Sequence, residues 1–308
     1  MEKDFHYYLI YAVSKITGHE KAHTIALSSQ FVDDNNEGQF SIDERPAPFP
    51  EKIRSNGGHY YPIMTQSLST RSLDPYVQKY VYVPFHFIPG DNSVVIDGKR
   101  NPFSTTPGSP NARVLLKKAL ASDNPYRIGI ALHSYADTWS HQNFTGLHED
   151  WNSIYPWYNL FKSIVPNIGH AEAGHSPDVI SDDWTDNRLD QRTIINRKRA
   201  LEATGEIYKA MRRKSGYGPY WKDVKKDLRR IINARDYDDR KKKIEDLLTE
   251  SGLERAPKYS KDDWIDRALD RRGEEIVMRD GFEETDWYQF HQAAKAQFAL
   301  VLDLTKGL

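Results

Sequence analysis

One stretch limits what this chain can become: Ile128–Gln142, which reads IGIALHSYADTWSHQ. In it His133, Asp137 and His141 follow one another at intervals of four residues. At 3.6 residues per turn, that spacing stacks the three side chains on one helix face. Ile128, Ile130, Ala131 and Leu132 ahead of them are apolar. The spacing therefore predicts a helix through the core, opening at Asn124-Pro125. Imidazole, carboxylate and imidazole in one column suit a zinc-type cation. The plain alternative is a core helix whose two histidines are held by an aspartate. The doubled spacing weighs against it, because two histidines flanking a carboxylate are costly to bury without a cation.

The chain has no cysteine, so disulfides and thiolate ligands are excluded. A metal site must then use His, Asp, Glu or backbone oxygen. The net charge of −1 gives no support to a nucleic-acid-coating or acidic-membrane-binding protein, which would be basic. At 308 residues there is room for one large domain or two modest ones. The opening MEKDFHYYLIYAV lacks a basic region followed by an apolar run and a cleavage site. No run approaches a membrane span. The expected location is the cytoplasm, or outside the cell if a leader was removed.

Helical spacing predicts a first helix over Phe5–Thr17, with Asp4 as N-cap, His6 in the first turn and Gly18 as C-cap. Further helices are predicted over His19–Gln30, Asn111–Ser122, Arg192–Arg213, Trp221–Ala234, Asp239–Glu250 and Asp286–Thr305. A long irregular region at about 36–80 holds Pro46, Pro48, Pro50, Gly57 and Pro62, with Phe40, Phe49, Tyr60 and Tyr61 interleaved. The predicted fold class is mainly α, a multi-helix bundle. Residues 1–185 are expected to form a metal-binding helical core. A charged helical part, 186–308, packs on it within one continuous domain. The run Lys241-Lys242-Lys243 reads as a solvated face, since acids balance it, and His291 reads as structural.

Other motifs compete for the chemistry. His19-Glu20-Lys21-Ala22-His23 fits the H-E-x-x-H of zinc peptidases, but it abuts Gly18 and leaves no clear third ligand. Glu20-x-x-His23 and Glu172-x-x-His175 resemble the halves of a di-iron site, yet neither lies in a convincing long helix. Asp33 and Asp34 end a helix, where the dipole disfavours carboxylates unless a positive group is near. They form a solvated turn or reach into a site. His86, between aromatics and prolines, is a core histidine bonded to backbone or a ligand. His170, His175 and Asp178 form a second His/acid cluster in a glycine-flanked segment. Trp151, Tyr155, Trp157 and Tyr158 either wall a cleft or simply pack.

The blocks FHYYLI, SSQFVDDN, PFHFIPG and HSYADTWSH occur in an order that resembles the zinc-dependent phospholipase C superfamily, which also holds the single-strand-specific zinc nucleases. The chain also looks like an uncharacterised bacterial family with DFH, SQ-x-VDD and H-x-YADTW-x-HQ blocks. The first resemblance covers roughly residues 4–180 and implies an all-α fold with one to three zinc ions, manganese or iron being the alternatives. It implies that Asp33, His86, His133 and Asp137 hold one ion. Asp137 would bridge to a second that also takes His6. His141 would hold a third with His175 or His170 and an acid such as Asp178. Asp34 or Asp4 would serve as ligand, general base or partner to a histidine. That superfamily begins with a tryptophan whose amino group and carbonyl bind zinc, whereas here Met1-Glu2-Lys3 precede Asp4.

The expectation is thus a metal-dependent hydrolase of a phosphate ester or phosphodiester. A small soluble substrate is favoured over a phospholipid headgroup, because no lipid-binding domain is evident. Nucleic acid is not favoured, because the segment near 133–178 is not basic. The rivals are a helical protein in which metal only staples the fold and a zinc peptidase using His19-Glu20-x-x-His23. A helical phosphohydrolase with a fused His-Asp dipeptide is ruled out, since none occurs.

Overall fold

A computed structural model describes residues 1–36, 49, 53–55, 58–90, 94–96, 98–155, 166–272 and 275–308. The chain is mainly helical. π-Helical turns at Asp4–Leu9 run into α1 (Ile10–Ile16), followed by α2 (Ala22–Asp34). Short helices α3 (Pro75–Val77) and α4 (Val83–Phe85) flank a second π-helical stretch, Gln78–Tyr82. Then come α5 (Pro110–Ala121), α6 (Pro125–Ser140), α7 (Asn196–Ser215), α8 (Trp221–Ile232), α9 (Tyr237–Glu250), α10 (Asp262–Ala268) and α11 (Asp286–Leu304).

α6 is the axis of the fold. The Asn124 side chain accepts the Arg127 amide at 3.0 Å and Pro125 occupies the first turn, which fixes where the helix starts. Every residue from Ile128 to Ser140 is buried, as expected of a helix enclosed on all sides. α2, α5, α7 and α11 all pack against it. At the crossing with α2, a Cβ on Gly129 would stand 2.3 Å from the Ile25 carbonyl oxygen. Only glycine lets the two backbones approach so closely. A single apolar cluster extends from Met1 to Val301 and takes in Leu228, Ile231, Ile244 and Leu248, so α8 and α9 share the core with the first helices.

Two small sheets complete the frame. Strands β1 (Ile53–Ser55), β2 (Gly58–Tyr60), β5 (Leu269–Arg272) and β6 (Glu275–Met278) lie in the order β2-β1-β6-β5. β1 pairs antiparallel with β2 and parallel with β6. β3 (Asp183–Thr185) and β4 (Thr193–Ile195) form a separate antiparallel pair.

Several boundaries differ from the sequence reading. Asp4 is not an N-cap but opens the π-helical turns, where its carboxylate pairs with Arg240 of α9. The second helix begins at Ala22 rather than His19, because the His19 ring turns away to the Met211 carbonyl at 3.2 Å. α9 begins at Tyr237, where the Asp236 side chain accepts the Asp239 amide at 2.9 Å. Of the irregular region, Phe40, Pro46, Pro48, Pro50 and Gly57 lie outside the described residues, and its last part winds into α3. Lys241, Lys242 and Lys243 pair with Glu245, Asp246 and Asp239 along α9. His291 is buried, accepts the Ile63 amide through Nδ1 at 3.2 Å and packs on Trp287. Among the described residues no helix is long and apolar enough to cross a membrane.

Candidate metal centre

Five elements deliver donor groups to one place. α6 supplies His133 and Asp137 and ends at His141, whose amide still bonds the Asp137 carbonyl at 2.8 Å. α2 supplies Asp33 in its last turn, the opening π-helical turns supply His6, and α4 ends at His86. The loop after residue 166 supplies His170 and Asp178. Side-chain bonds set that assembly. Thr65 Oγ1 donates to the Val32 carbonyl at 2.7 Å, and Asn35 Nδ2 donates to the Ile63 carbonyl at 2.8 Å. Residues 63–65 are thereby stitched to the end of α2, and the Thr65 carbonyl is brought to His86.

The donor atoms fall into three overlapping groups: Asp33/His86/His133, His6/His133/Asp137 and His141/His170/Asp178. His133 Nε2 lies 3.2 Å from His86 Nδ1, 3.1 Å from Asp137 Oδ2 and 3.7 Å from Asp33 Oδ1. His86 Nδ1 lies 3.3 Å from Asp137 Oδ2 and 3.9 Å from Asp33 Oδ1. A tetrahedron with metal–ligand bonds of about 2.0–2.2 Å has edges of about 3.3–3.6 Å. The four donors therefore fit a small divalent cation. The other Asp137 oxygen, Oδ1, faces His6 Nε2 at 3.1 Å. Asp178 faces His141 Nε2 at 3.0 Å with Oδ1 and His170 Nε2 at 3.3 Å with Oδ2.

Proton placement makes the fit stronger. His86 Nε2 bonds the Thr65 carbonyl at 3.0 Å, His141 Nδ1 the His86 carbonyl at 2.9 Å, and His170 Nδ1 the Gly174 carbonyl at 3.0 Å. A carbonyl only accepts, so these nitrogens carry the hydrogens. In the neutral ring the opposite nitrogen is then a bare lone pair, and in all three histidines it points at carboxylate oxygens. Acceptors facing acceptors need a proton or a cation between them, and a backbone carbonyl holding the far nitrogen is the usual support of a metal-binding histidine. His6 and His133 lack that support: their buried Nδ1 atoms have no hydrogen-bond partner, and the two rings stack on each other at 4.0 Å.

The charges are unbalanced without a cation. Asp33, Asp137 and Asp178 carry three negative charges, and the one permanent cation among them is the Met1 ammonium, 2.8 Å from Asp137 and 3.1 Å from Asp178. With neutral imidazoles the sum is −2. Burial opposes the ammonium charge, yet Asp137, Asp178 and Asp33 outweigh it and push the amine up to about 11. Burial likewise opposes ionisation of Asp137 and Asp178, but the ammonium and the histidines hold both well below the usual carboxylate range. Asp33, which keeps 28% of its side chain exposed, is pushed up by burial and then by Asp137. Burial pushes the His133 imidazole down to about 4 and lowers His6 and His170. For His141 burial is outweighed by Asp137 and Asp178, and its imidazole is raised.

The remaining sequence candidates have other partners. Asp4 is buried against Arg240, so its carboxylate is not available to a metal or a substrate. Asp34 stands at the cleft, where its Oδ2 accepts Tyr259 Oη at 2.5 Å and Gln30 Nε2 at 3.3 Å. His175 is exposed, and His170 rather than His175 joins His141 and Asp178. Glu172 holds the Ile154 and Tyr155 amides at 2.9 and 3.2 Å, which removes it from a di-iron site. The peptidase-like motif fails on geometry, because His19 and Glu20 precede the helix that carries His23 and so cannot share its face. Trp151 donates to the Asn143 carbonyl at 3.0 Å, while Trp157 and Tyr158 lie outside the described residues. The Met1 amine, Arg240 and Tyr259 were not singled out from sequence. Only the tyrosine and arginine side chains offered a signal there, and neither was distinctive.

The donors line the floor of a cleft of about 690 Å³. Its wall includes Lys3, Gln66, Ser67, Leu68, Ser69 and Tyr237. No curated protein and no solved structure matches the chain. A family model does, over residues 1–305, and the chain accordingly belongs to the family of unknown function DUF6765.

Proposed function

We propose that this protein is a metal-dependent hydrolase of a phosphate ester or phosphodiester, with zinc as the expected ion, on a helical frame of the phospholipase C and nuclease kind. One observation carries the reading: the bare imidazole nitrogens of His86, His141 and His170 face carboxylate oxygens on the floor of an open cleft. Asp33, His86, His133 and Asp137 would hold the first cation. His6 with Asp137, and His141 with His170 and Asp178, would take others. Divalent cations in such a set polarise phosphoryl oxygens, acidify water and neutralise a leaving oxygen.

The chain's own residues do the rest. The Thr65, His86 and Gly174 carbonyls keep three imidazoles turned toward the cleft. Asp34 is the candidate general base. Burial, followed by the Asp34 charge, pushes the Tyr259 phenol far up, so it stays protonated and keeps donating to Asp34 Oδ2. Lys3 is the single cationic side chain among the described residues of the wall. That favours a small ester over a nucleic acid, whose backbone wants a basic track.

Metal content of protein purified without chelator, followed by a panel of phosphate monoesters and diesters, tests this. The expected result is bound zinc, metal-dependent turnover, and loss of both in His133→Ala. Failure to bind a divalent ion, or full retention of it in both His133→Ala and Asp137→Asn, would sink the proposal. Full burial of His6 and His133 also suits a stapling ion, and metal binding that raises stability without turnover would select that reading.

A further inference from the structure

A second cavity, of about 580 Å³, lies between α5 and α7. Its floor is apolar: Leu116 and Leu120 of α5, Ala210 of α7 and the ring of Tyr135 from α6. Its rim carries five cations, Arg113 and Lys117 from α5 with Lys209, Arg213 and Lys214 from α7, against one acid, Glu206. All six rim residues are exposed. Lys209 is paired with Glu206 at 2.7 Å and Lys214 with Asp123 at 2.6 Å. Arg113, Lys117 and Arg213 make no ion pair among the described residues, and they leave an uncompensated positive rim on a chain whose net charge is −1.

The arrangement is a property of the two helix faces. On α5, Leu116 and Leu120 form one i, i+4 row and Arg113 and Lys117 the row beside it. On α7, Glu206, Lys209, Ala210 and Arg213 follow at i, i+3, i+4 and i+7. Tyr135 stands two residues from both His133 and Asp137 along α6. At about 100° per residue it is turned to the opposite side of that helix. The cavity is therefore separate from the metal centre, and none of its residues belongs to the donor groups.

We propose that this groove binds a single-chain anionic amphiphile, its chain on Leu116, Leu120, Ala210 and Tyr135 and its carboxylate or phosphate head between Arg113, Lys117 and Arg213. The volume is within the usual range for small-molecule sites, and an apolar floor with a few charged groups is their usual chemistry. A bare anion would leave the floor wet, and a neutral amphiphile would leave the three cations unanswered. The arginines are suited to carboxylate and phosphate heads alike, since the guanidinium matches both in fork geometry.

The test is calorimetric titration of the full metal-loaded chain with decanoate and with decyl phosphate, each below its micelle threshold. Decyl maltoside, inorganic phosphate and phosphatidylglycerol vesicles serve as comparisons. Expected is one saturable site for either anionic amphiphile, with the neutral one at least about tenfold weaker, no binding of inorganic phosphate, and weakening by salt. Arg113→Glu with Arg213→Glu should weaken the anionic ligands at least about tenfold, while Arg113→Lys with Arg213→Lys retains most of the affinity. These side chains are exposed, so the fold should survive, and unchanged metal content and melting temperature check that it has. Equal affinity for the neutral and anionic chains overturns the proposal. So does unchanged binding in the reversed variant, binding to vesicles alone, or no binding to wild type.

Discussion

Replacing Asp137 by Asn probes the centre most directly. The side chain is 1% exposed and has neighbours on both oxygens: the Met1 ammonium at 2.8 Å and His6 at 3.1 Å on Oδ1, His133 at 3.1 Å and His86 at 3.3 Å on Oδ2. Two effects compete in the metal-free protein. Loss of the charge relieves repulsion of Asp33, but it strands the ammonium with Asp178 alone. The second wins, because Asp137 is held well below the ordinary carboxylate range, which means its surroundings favour the charge. Breaking a buried pair from one side costs about 3–5 kcal/mol. At about 2 °C per kcal/mol for a chain of this size, the melting temperature should fall by about 6–10 °C. Metal adds a separate loss. Zinc a thousandfold above its dissociation constant stabilises by about 4 kcal/mol, or about 8 °C, in wild type. Asn is a poor substitute for a charged ligand, so the variant should keep less than about half of that rise. Scanning calorimetry on chelator-stripped protein with and without zinc reads both quantities. An undiminished zinc-induced rise in Asp137→Asn would refute the assignment of this carboxylate, and no rise in wild type would refute the metal centre.

Three further outcomes follow from the geometry. The buried His133 imidazole takes a proton only near pH 4, against 6.5 for the ordinary side chain. Between those values the unfolded chain binds the additional proton, so stability of the metal-free protein rises with pH. Lowering the pH from about 6.5 to 5 should cost about 2 kcal/mol from His133, with His6 and His170 acting in the same direction; a flat urea-denaturation free energy over that window would contradict it. Arg240→Met leaves the buried Asp4 carboxylate alone and should lower the melting temperature by about 6–10 °C, with part of the loss recovered in the double variant carrying Asp4→Asn. Gly129→Ala forces the helix that carries Asp33 away from the helix that carries His133 and Asp137. It should cost about 1–3 kcal/mol and weaken zinc binding in the same titration, and unchanged values for both would show that the crossing does not set the donor spacing.

The central helix was legible because its evidence is local. A capping Asn-Pro, an apolar run and a four-residue repeat of His, Asp and His define both a helix and the face that bears the donors. The same holds for α5, α7, α8 and α11, whose periodicity places them to within a few residues. What was missed has a common cause. β5 and β6 read LDRR and EIVM, without the alternation that marks a half-buried strand, and they exist because they pair with each other and with β1. The start of α2 was misplaced because a carbonyl of α7 takes the His19 ring.

The sequence by itself determined the helical class, the exclusion of thiolate ligands and the His133/Asp137/His141 column, since each depends on residue type and on spacing within two helical turns. Tertiary structure alone decided which other donors join that column. Asp33 and His86 reach it because Gly129 lets α2 cross close to α6 and because Thr65 holds the His86 ring. His170 joins in place of His175 through the course of one loop. Asp4 is taken out by an arginine 236 residues away. Backbone carbonyls settle which nitrogens face the cleft, and a carbonyl has no letter in the sequence.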